Sequence, residues 1–321
     1  MRLGDSSVEV GGLGLGTAAI GGLYTPVSAD EASAVVLAAL DAGITYFDTA
    51  PLYGLGESER RLGRALVGVD RSGLTISTKV GRLIEPRSGG GTDVFAGVDP
   101  ADIVLDFSAE GVHRSLDSSL ERLGLDRVDV VFVHDPDEHA DQAIAEAYPA
   151  LERWRAEGVV GAIGVGMNQT AVPLRFVRET DIDVVLLAGR WTLLDQSGLA
   201  ELLPACTAAG VSVVVGGVFN SDVLADPHRR PHYNYGAAPA DVVTRALELE
   251  AVCRAAGVDL LQAALAFPWL HPAVACVLVG TRSVAELTAD VEAARAPLPA
   301  GLWAGLLDAG LLDPAVGALS R

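Results

Sequence analysis

Four side chains in this sequence are of kinds that move protons, and they fall at turning points of the chain: Asp48 in ITYFDTA, Tyr53 in TAPLYG, Lys79 in LTISTKV and His134 in VDVVFVH. Singly, each has a plain reading. Asp after a strand caps a turn, tyrosine in a Pro-Gly loop covers apolar surface, a lone lysine points into water, and His134 before Asp135-Pro136 is a satisfied polar strand end. Together they offer acid, phenol, amine and imidazole. A phenol has an ordinary pKa of about 10, and an ammonium against its oxygen lowers it towards useful acid–base strength. That ammonium needs a carboxylate partner to stay charged, and Asp48 is placed to be one. His134 would hold a substrate oxygen by a hydrogen bond. Such a set suits giving a proton to an oxygen, or taking one from it, while hydride moves at the carbon.

The composition singles out one member of the set. Of 23 basic residues, all but Lys79 are arginine. A compact ammonium on a flexible stem does what a planar, forked guanidinium cannot, so the one lysine is expected to be the one that chemistry does not let go.

For these four to meet, their elements must converge. Short apolar runs at 13–20, 44–48, 74–80, 128–134, 159–166, 182–188, 211–217 and 274–280 alternate with amphipathic stretches. They are continuous rather than alternating, as in parallel strands buried on both faces. Ser28 with Glu31 makes a capping box for a helix ending at Gly43. Helical patterns follow at 108–124, 142–157, 197–210 and 240–257. Eight strands with intervening helices predict a single (β/α)8 TIM barrel over residues 1–321. A bare barrel takes about 250 residues. The surplus is placed in an N-terminal cap (1–12), extended loops at 82–107 and 219–239 on the C-terminal face, and a tail from about 296. In a barrel, Asp48, Lys79 and His134 end at one mouth. A doubly wound dinucleotide fold competes through Gly14, Gly16 and Ala19, with Asp48 ending the next strand. That fingerprint must open a helix at once, yet Gly21, Gly22 and Pro26 follow, so the glycines are read as a tight first strand and loop.

Composition excludes other classes. A chain of 321 residues with 50% hydrophobic content is neither disordered nor dependent on staples. A net charge of -19 without a basic run excludes nucleic acid as partner. Cys206, Cys253 and Cys276 are odd in number, far apart and in apolar surroundings, hence buried reduced thiols. No apolar run reaches the roughly 18 residues of a membrane span, and the expected compartment is the cytoplasm. His113, His139, His228, His232 and His271 lack ligand spacing and read as surface or structural, so no metal is expected.

Hydride needs a carrier. Gly280-Thr281-Arg282-Ser283 ends the last strand and enters a helix, which is where barrels hold phosphate. An ordinary Ser-capped helix reads the same way. Arg282 suits a 2′-phosphate, whereas Glu286 and Asp290 on the next turns repel one and accept from ribose hydroxyls.

FDTAPLYGLGESERRLGRAL, SLERLGLDRVDVVFVHDPD and VLVGTRSVAEL resemble the aldo-keto reductases, in the right order over nearly the whole chain. The resemblance implies a barrel binding nicotinamide nucleotide and an Asp48–Tyr53–Lys79–His134 tetrad. GGLYTPVSADEA, LLAGRWTLLDQ and GGVFNSDVL are similar to a branch of L-fucose and D-threo-aldose 1-dehydrogenases and pyridoxal 4-dehydrogenases. That implies oxidation of a hemiacetal carbon to a lactone, with Tyr53 as base. The cofactor is NAD or NADP, NAD being favoured. Residues assigned to it are Asn168, Gly217, Phe219, Asn220, Gly280, Thr281, Arg282, Glu286 and Asp290. Ala188 stands where the family has Gln, and Gly216 or Gly217 where an aromatic stacks on nicotinamide. Tyr24, Trp191 and Tyr235 are assigned to a sugar or aldehyde substrate. The alternatives are a carbonyl reductase of an aldehyde or ketone, a nicotinamide-sensing regulatory subunit, and a lyase using Lys79 as a Schiff-base nucleophile.

Overall fold

In a computed structural model, which describes residues 1–86, 95–99, 101–229 and 231–319, eight parallel strands close into a barrel. They are β1 (Leu13–Gly16), β2 (Tyr46–Asp48), β3 (Thr75–Val80), β4 (Val130–His134), β5 (Ala162–Met167), β6 (Val184–Ala188), β7 (Ser212–Gly216) and β8 (Val274–Val279). Strand β1 pairs with both β2 and β8, completing the circle. Alternate residues of the strands serve two cores, which is why the runs are apolar throughout. One set, including Tyr46, Phe132, Leu186 and Leu278, fills the barrel with Leu3, Val8 and Val10 of the N-terminal cap. The other packs under the helices.

The helices begin as their caps dictate. Helix α1 (Ala29–Asp41) has the full Ser28–Glu31 capping box, and α3 (Ala109–Leu123) is capped by Ser108 and ended by left-handed Gly124. Between them, α2 (Glu57–Ala65) is tied to α3 by an ion pair. Glu59, fully buried, accepts from Arg122 Nε at 2.6 Å and from Thr78 Oγ1 at 2.8 Å. The SERRLG and SLERLG segments are thus two halves of one contact.

Boundaries differ in places. The first strand stops at Gly16, and Ala19–Gly21 forms a 3-10 turn, because Thr17 turns to donate its N–H and hydroxyl to Asp48 O. Gly14 belongs to the strand and opens no helix. A Cβ there would stand 2.7 Å from the Leu278 side chain, so close packing, not phosphate, requires it. The 82–107 segment carries an antiparallel hairpin, Arg82–Pro86 with Ala101–Leu105. The 219–239 loop carries a smaller one, His232–Tyr233 with Gly236–Ala237. The three cysteines are free and buried. No single helix among the described residues is long and apolar enough to cross a membrane.

Candidate active site

Three of the four candidate groups stand on the barrel wall. Asp48 and Lys79, at the ends of β2 and β3, are buried, and Lys79 Nζ donates to Asp48 Oδ2 at 2.6 Å and to Thr49 O at 2.9 Å. Asp48 Oδ1 accepts from Ser77 Oγ at 2.7 Å, and Ser77 Oγ lies 3.0 Å from Tyr46 Oη inside the barrel. The carboxylate is therefore satisfied on both oxygens, as a buried charge must be. Ser77 and Tyr46 escape sequence reading because their role is set by distance across two strands, not by position along one.

Tyr53 sits in the loop between β2 and α2, and that loop is closed at its base. Thr49 Oγ1 meets Ser58 Oγ at 3.1 Å, and Ser58 Oγ also reaches Thr17 Oγ1 at 2.7 Å and Thr17 O at 2.8 Å. The ring of Tyr53 lies under Lys79, with Nζ 4.6 Å from its centroid, a cation–π distance. The ammonium donates to Asp48 and Thr49, so the Asp48 carboxylate offsets its pull on the phenol. Burial holds the Tyr53 hydroxyl well above the ordinary phenol range, helped by the Asp48 and Asp135 carboxylates and opposed by Arg82.

His134 ends β4 with its ring edge-on to Tyr53, centroids 6.0 Å apart. Burial, then the positive charges of Lys79 and Arg82, push its pKa well below the usual imidazole value. It is a neutral ring at physiological pH, able to donate one hydrogen bond without carrying charge. Its Nδ1 is buried with no partner among the described residues. Two further groups border this centre. Asp135 Oδ2 lies 3.5 Å from His134 Nε2 and 3.1 Å from Arg82 Nη2.

The mouth opens into a cavity of about 420 Å³ reached by Asp48, Tyr53, Arg82, Tyr24, Tyr235, Gly217, Phe219 and Gly280. A second cavity of about 420 Å³ shares Phe219, Ser221 and Gly280 with it and runs to Arg282, Glu286 and Asp290. Ten of the sixteen sequence-assigned residues thus border these two adjoining cavities, which together form one trough. Six do not: Lys79, His134, Thr281, Trp191, Asn220 and Asn168. Trp191 is fully buried, donating from Nε1 to Pro268 O at 2.9 Å, because an indole N–H and a loop carbonyl satisfy each other inside. Asn220 is also buried, its amide accepting from Thr192 Oγ1 at 2.6 Å and donating to Gly189 O at 3.1 Å. It pins two loops together. Asn168, just beyond β5, is partly buried and does not line either cavity. Thr281 is buried and its hydroxyl has no partner among the described residues.

The trough fits a nicotinamide dinucleotide. Its glycine lining at Gly216, Gly217 and Gly280, and the Thr281 hydroxyl, buried beside a helix N-terminus with no partner among the described residues, match what a phosphate-bridged ligand needs. At the far end Arg282 Nη2 is 3.3 Å from Glu286 Oε1, and the Arg282 N–H donates to Glu286 Oε2 at 2.8 Å. Burial, then Glu286, push the Asp290 carboxyl up to about 7. No His, Cys, Asp and Glu cluster among the described residues could hold a metal ion.

Residues 12–306 match the aldo/keto reductase family. The chain belongs to that family. Among its curated relatives, a D-threo-aldose 1-dehydrogenase of Pseudomonas sp is 45% identical over 316 residues, covering 96% of each chain. A pyridoxal 4-dehydrogenase of Microbacterium luteolum is 38% identical over 97% of each. In structure, an aldo-keto reductase of Bacillus halodurans, solved in its holo form, superimposes with a TM-score of 0.78 at 26% identity, over 98% of this chain and 96% of that one. This aldo/keto reductase is an oxidoreductase using a nicotinamide cofactor.

Proposed function

We propose that this aldo/keto reductase oxidises the hemiacetal carbon of an aldose to a lactone, with Tyr53 as the group that takes the proton. The observation carrying this is the buried Lys79–Asp48 pair, its ammonium over the Tyr53 ring, with a neutral His134 beside it. The name of the 45% identical relative supports the choice of substrate. A bound nicotinamide supplies the hydride acceptor. His134 holds the reacting oxygen by a hydrogen bond, Tyr53 Oη accepts the proton released from that oxygen, and Lys79 with Asp48 holds the ring in place. Gly217, Phe219, Gly280 and Thr281 would hold the dinucleotide. NAD is preferred, because Glu286, Asp290, Asp222 and Asp226 line the far cavity and Arg282 is already paired. Tyr24 and Tyr235 at the mouth favour a second substrate, a flat ring such as pyridoxal.

Replacement of Tyr53 by Phe is the test. Turnover should fall by about 10²- to 10⁴-fold, the usual worth of a positioned acid or base, with reduced-nucleotide binding followed by fluorescence unchanged. Because the phenol is held high, its base form grows with alkali. Wild-type oxidation should therefore rise with pH above neutrality, while reduction, which uses the phenol, stays level. An active Phe variant removes Tyr53 from the mechanism.

A further inference from the structure

We infer that Arg82 and Asp135 together form a recognition site for a hydroxyl on the carbon next to the reacting one, so that the enzyme selects 2-hydroxy carbonyl compounds and their hemiacetals. The backbone is bent to place this pair. Gly81 has a φ of 98°, and a Cβ there would stand 2.2 Å from the Phe107 ring. Only glycine lets the chain leave β3 so abruptly that Arg82, its next residue, borders the cavity. Just past the end of the neighbouring strand β4, Asp135 is held in the left-handed region at a φ of 42°, its N–H donating to Gly166 O at 3.0 Å. Strain of this kind in a non-glycine residue gathers at functional sites. It folds the carboxylate back beside His134 Nε2, 3.5 Å away.

The pair is not a closed structural salt bridge. Among the described residues it is joined by a single contact, Arg82 Nη2 to Asp135 Oδ2 at 3.1 Å, which leaves the second guanidinium nitrogen, Nη1, and the second carboxylate oxygen, Oδ1, outside that bond. Both side chains stay partly open, at 18% and 21% exposure. A donor and an acceptor with unused capacity therefore sit side by side, within reach of the group that holds the reacting oxygen. Because their charges cancel, a carboxylate or phosphate on the substrate would meet Asp135, and an amine would meet Arg82. A neutral hydroxyl, accepting from one and donating to the other, satisfies both. The rest of the near lining, Leu23, Leu52, Tyr24 and Tyr235, offers mainly apolar and aromatic surface.

This rests on the oxidoreductase reading of the cavity, and the test separates the two. Lactaldehyde and propanal differ by the one hydroxyl in question. Reduction of both is measured for the wild type, Asp135→Gly, which keeps the left-handed backbone accessible, and Arg82→Met, which serves if the first variant does not fold. The wild type should favour lactaldehyde in kcat/KM by about 10- to 100-fold, the scale of one charge-assisted hydrogen bond. In either variant that ratio should shrink to within about threefold of unity, whatever happens to the absolute rates. A wild-type ratio near one, or a ratio that survives both substitutions, overturns the inference. Aldose oxidation by the wild type is assayed alongside. If aldoses are not oxidised while the aldehyde ratio behaves as stated, the aldose reading fails and the hydroxyl site stands.

Discussion

Replacing Lys79 by Met removes one half of the 2.6 Å pair with Asp48, in which the two side chains are only 1% and 3% exposed. Asp48 would keep Ser77 but lose its ammonium. Leaving one partner of such a buried pair uncompensated costs about 3–5 kcal/mol. The entropy of unfolding is about 2.1 cal/mol/K per residue. Over 321 residues, a loss near the middle of that range lowers Tm by about 6 °C. Adding Asp48→Asn removes the stranded charge with little change of shape, so the double variant should recover at least half of the lost Tm. Activity should not recover, because the ammonium over the Tyr53 ring is still missing. Thermal unfolding by calorimetry and single-turnover hydride transfer, on the same three proteins, give both readouts. A Met variant within about 1 °C of the wild type would refute the energetic argument. A double variant that turns over at the native rate would refute the catalytic one. Lys79→Arg belongs in the series, and a near-normal rate there returns the single lysine to coincidence.

Two further outcomes follow from positions away from the reacting centre. Trp191→Phe removes the 2.9 Å indole donor from the Pro268 carbonyl, which keeps the His271 N–H at 3.2 Å, so stability should fall by about 1 kcal/mol with KM for substrate unchanged; a large KM change would return the indole to the substrate site. The second concerns pH. Asp290 is pushed up to about 7, so it is neutral below that pH and ionised above it. Glu286, Asp222 and Asp226 share its cavity as acidic groups, and Arg282 and Arg229 as basic ones. The preference for NAD over NADP in dissociation constants should therefore grow as pH rises from 6 to 8 and flatten in Asp290→Asn; an unchanged slope in that variant would clear Asp290.

The sequence was most readable where one residue does one thing. A polar side chain ending an apolar run, as at Asp48, Lys79 and His134, has few places to go in a parallel barrel except the mouth, and Ser28 and Ser108 cap helices by purely local bonds. What was hidden depends on two parts of the chain at once. Arg82 in a loop and Asp135 after a strand look like surface charges until Gly81 and a left-handed turn bring them to 3.1 Å. Trp191 and Asn220 misled for the same reason. A loop residue with a polar atom looks like a ligand-binding group until a carbonyl or hydroxyl from another loop is found to use that atom first. The state of the tyrosine was hidden because burial and the Asp48 carboxylate, which raise its phenol, are set by the folded surroundings and not by the residue types alone.

The closed base of the Tyr53 loop has a thermodynamic consequence. Fixing a residue's backbone costs roughly 1–2 kcal/mol of entropy, and a loop ordered only when substrate arrives carries that cost in every turnover. Here Thr49, Ser58 and Thr17 bind one another across the ends of the loop, so the ordering belongs to folding. The activation entropy of hydride transfer should then be small. Loosening the knot with Ser58→Ala should make it more negative, leaving a pocket of the same shape that reacts from a broader ensemble.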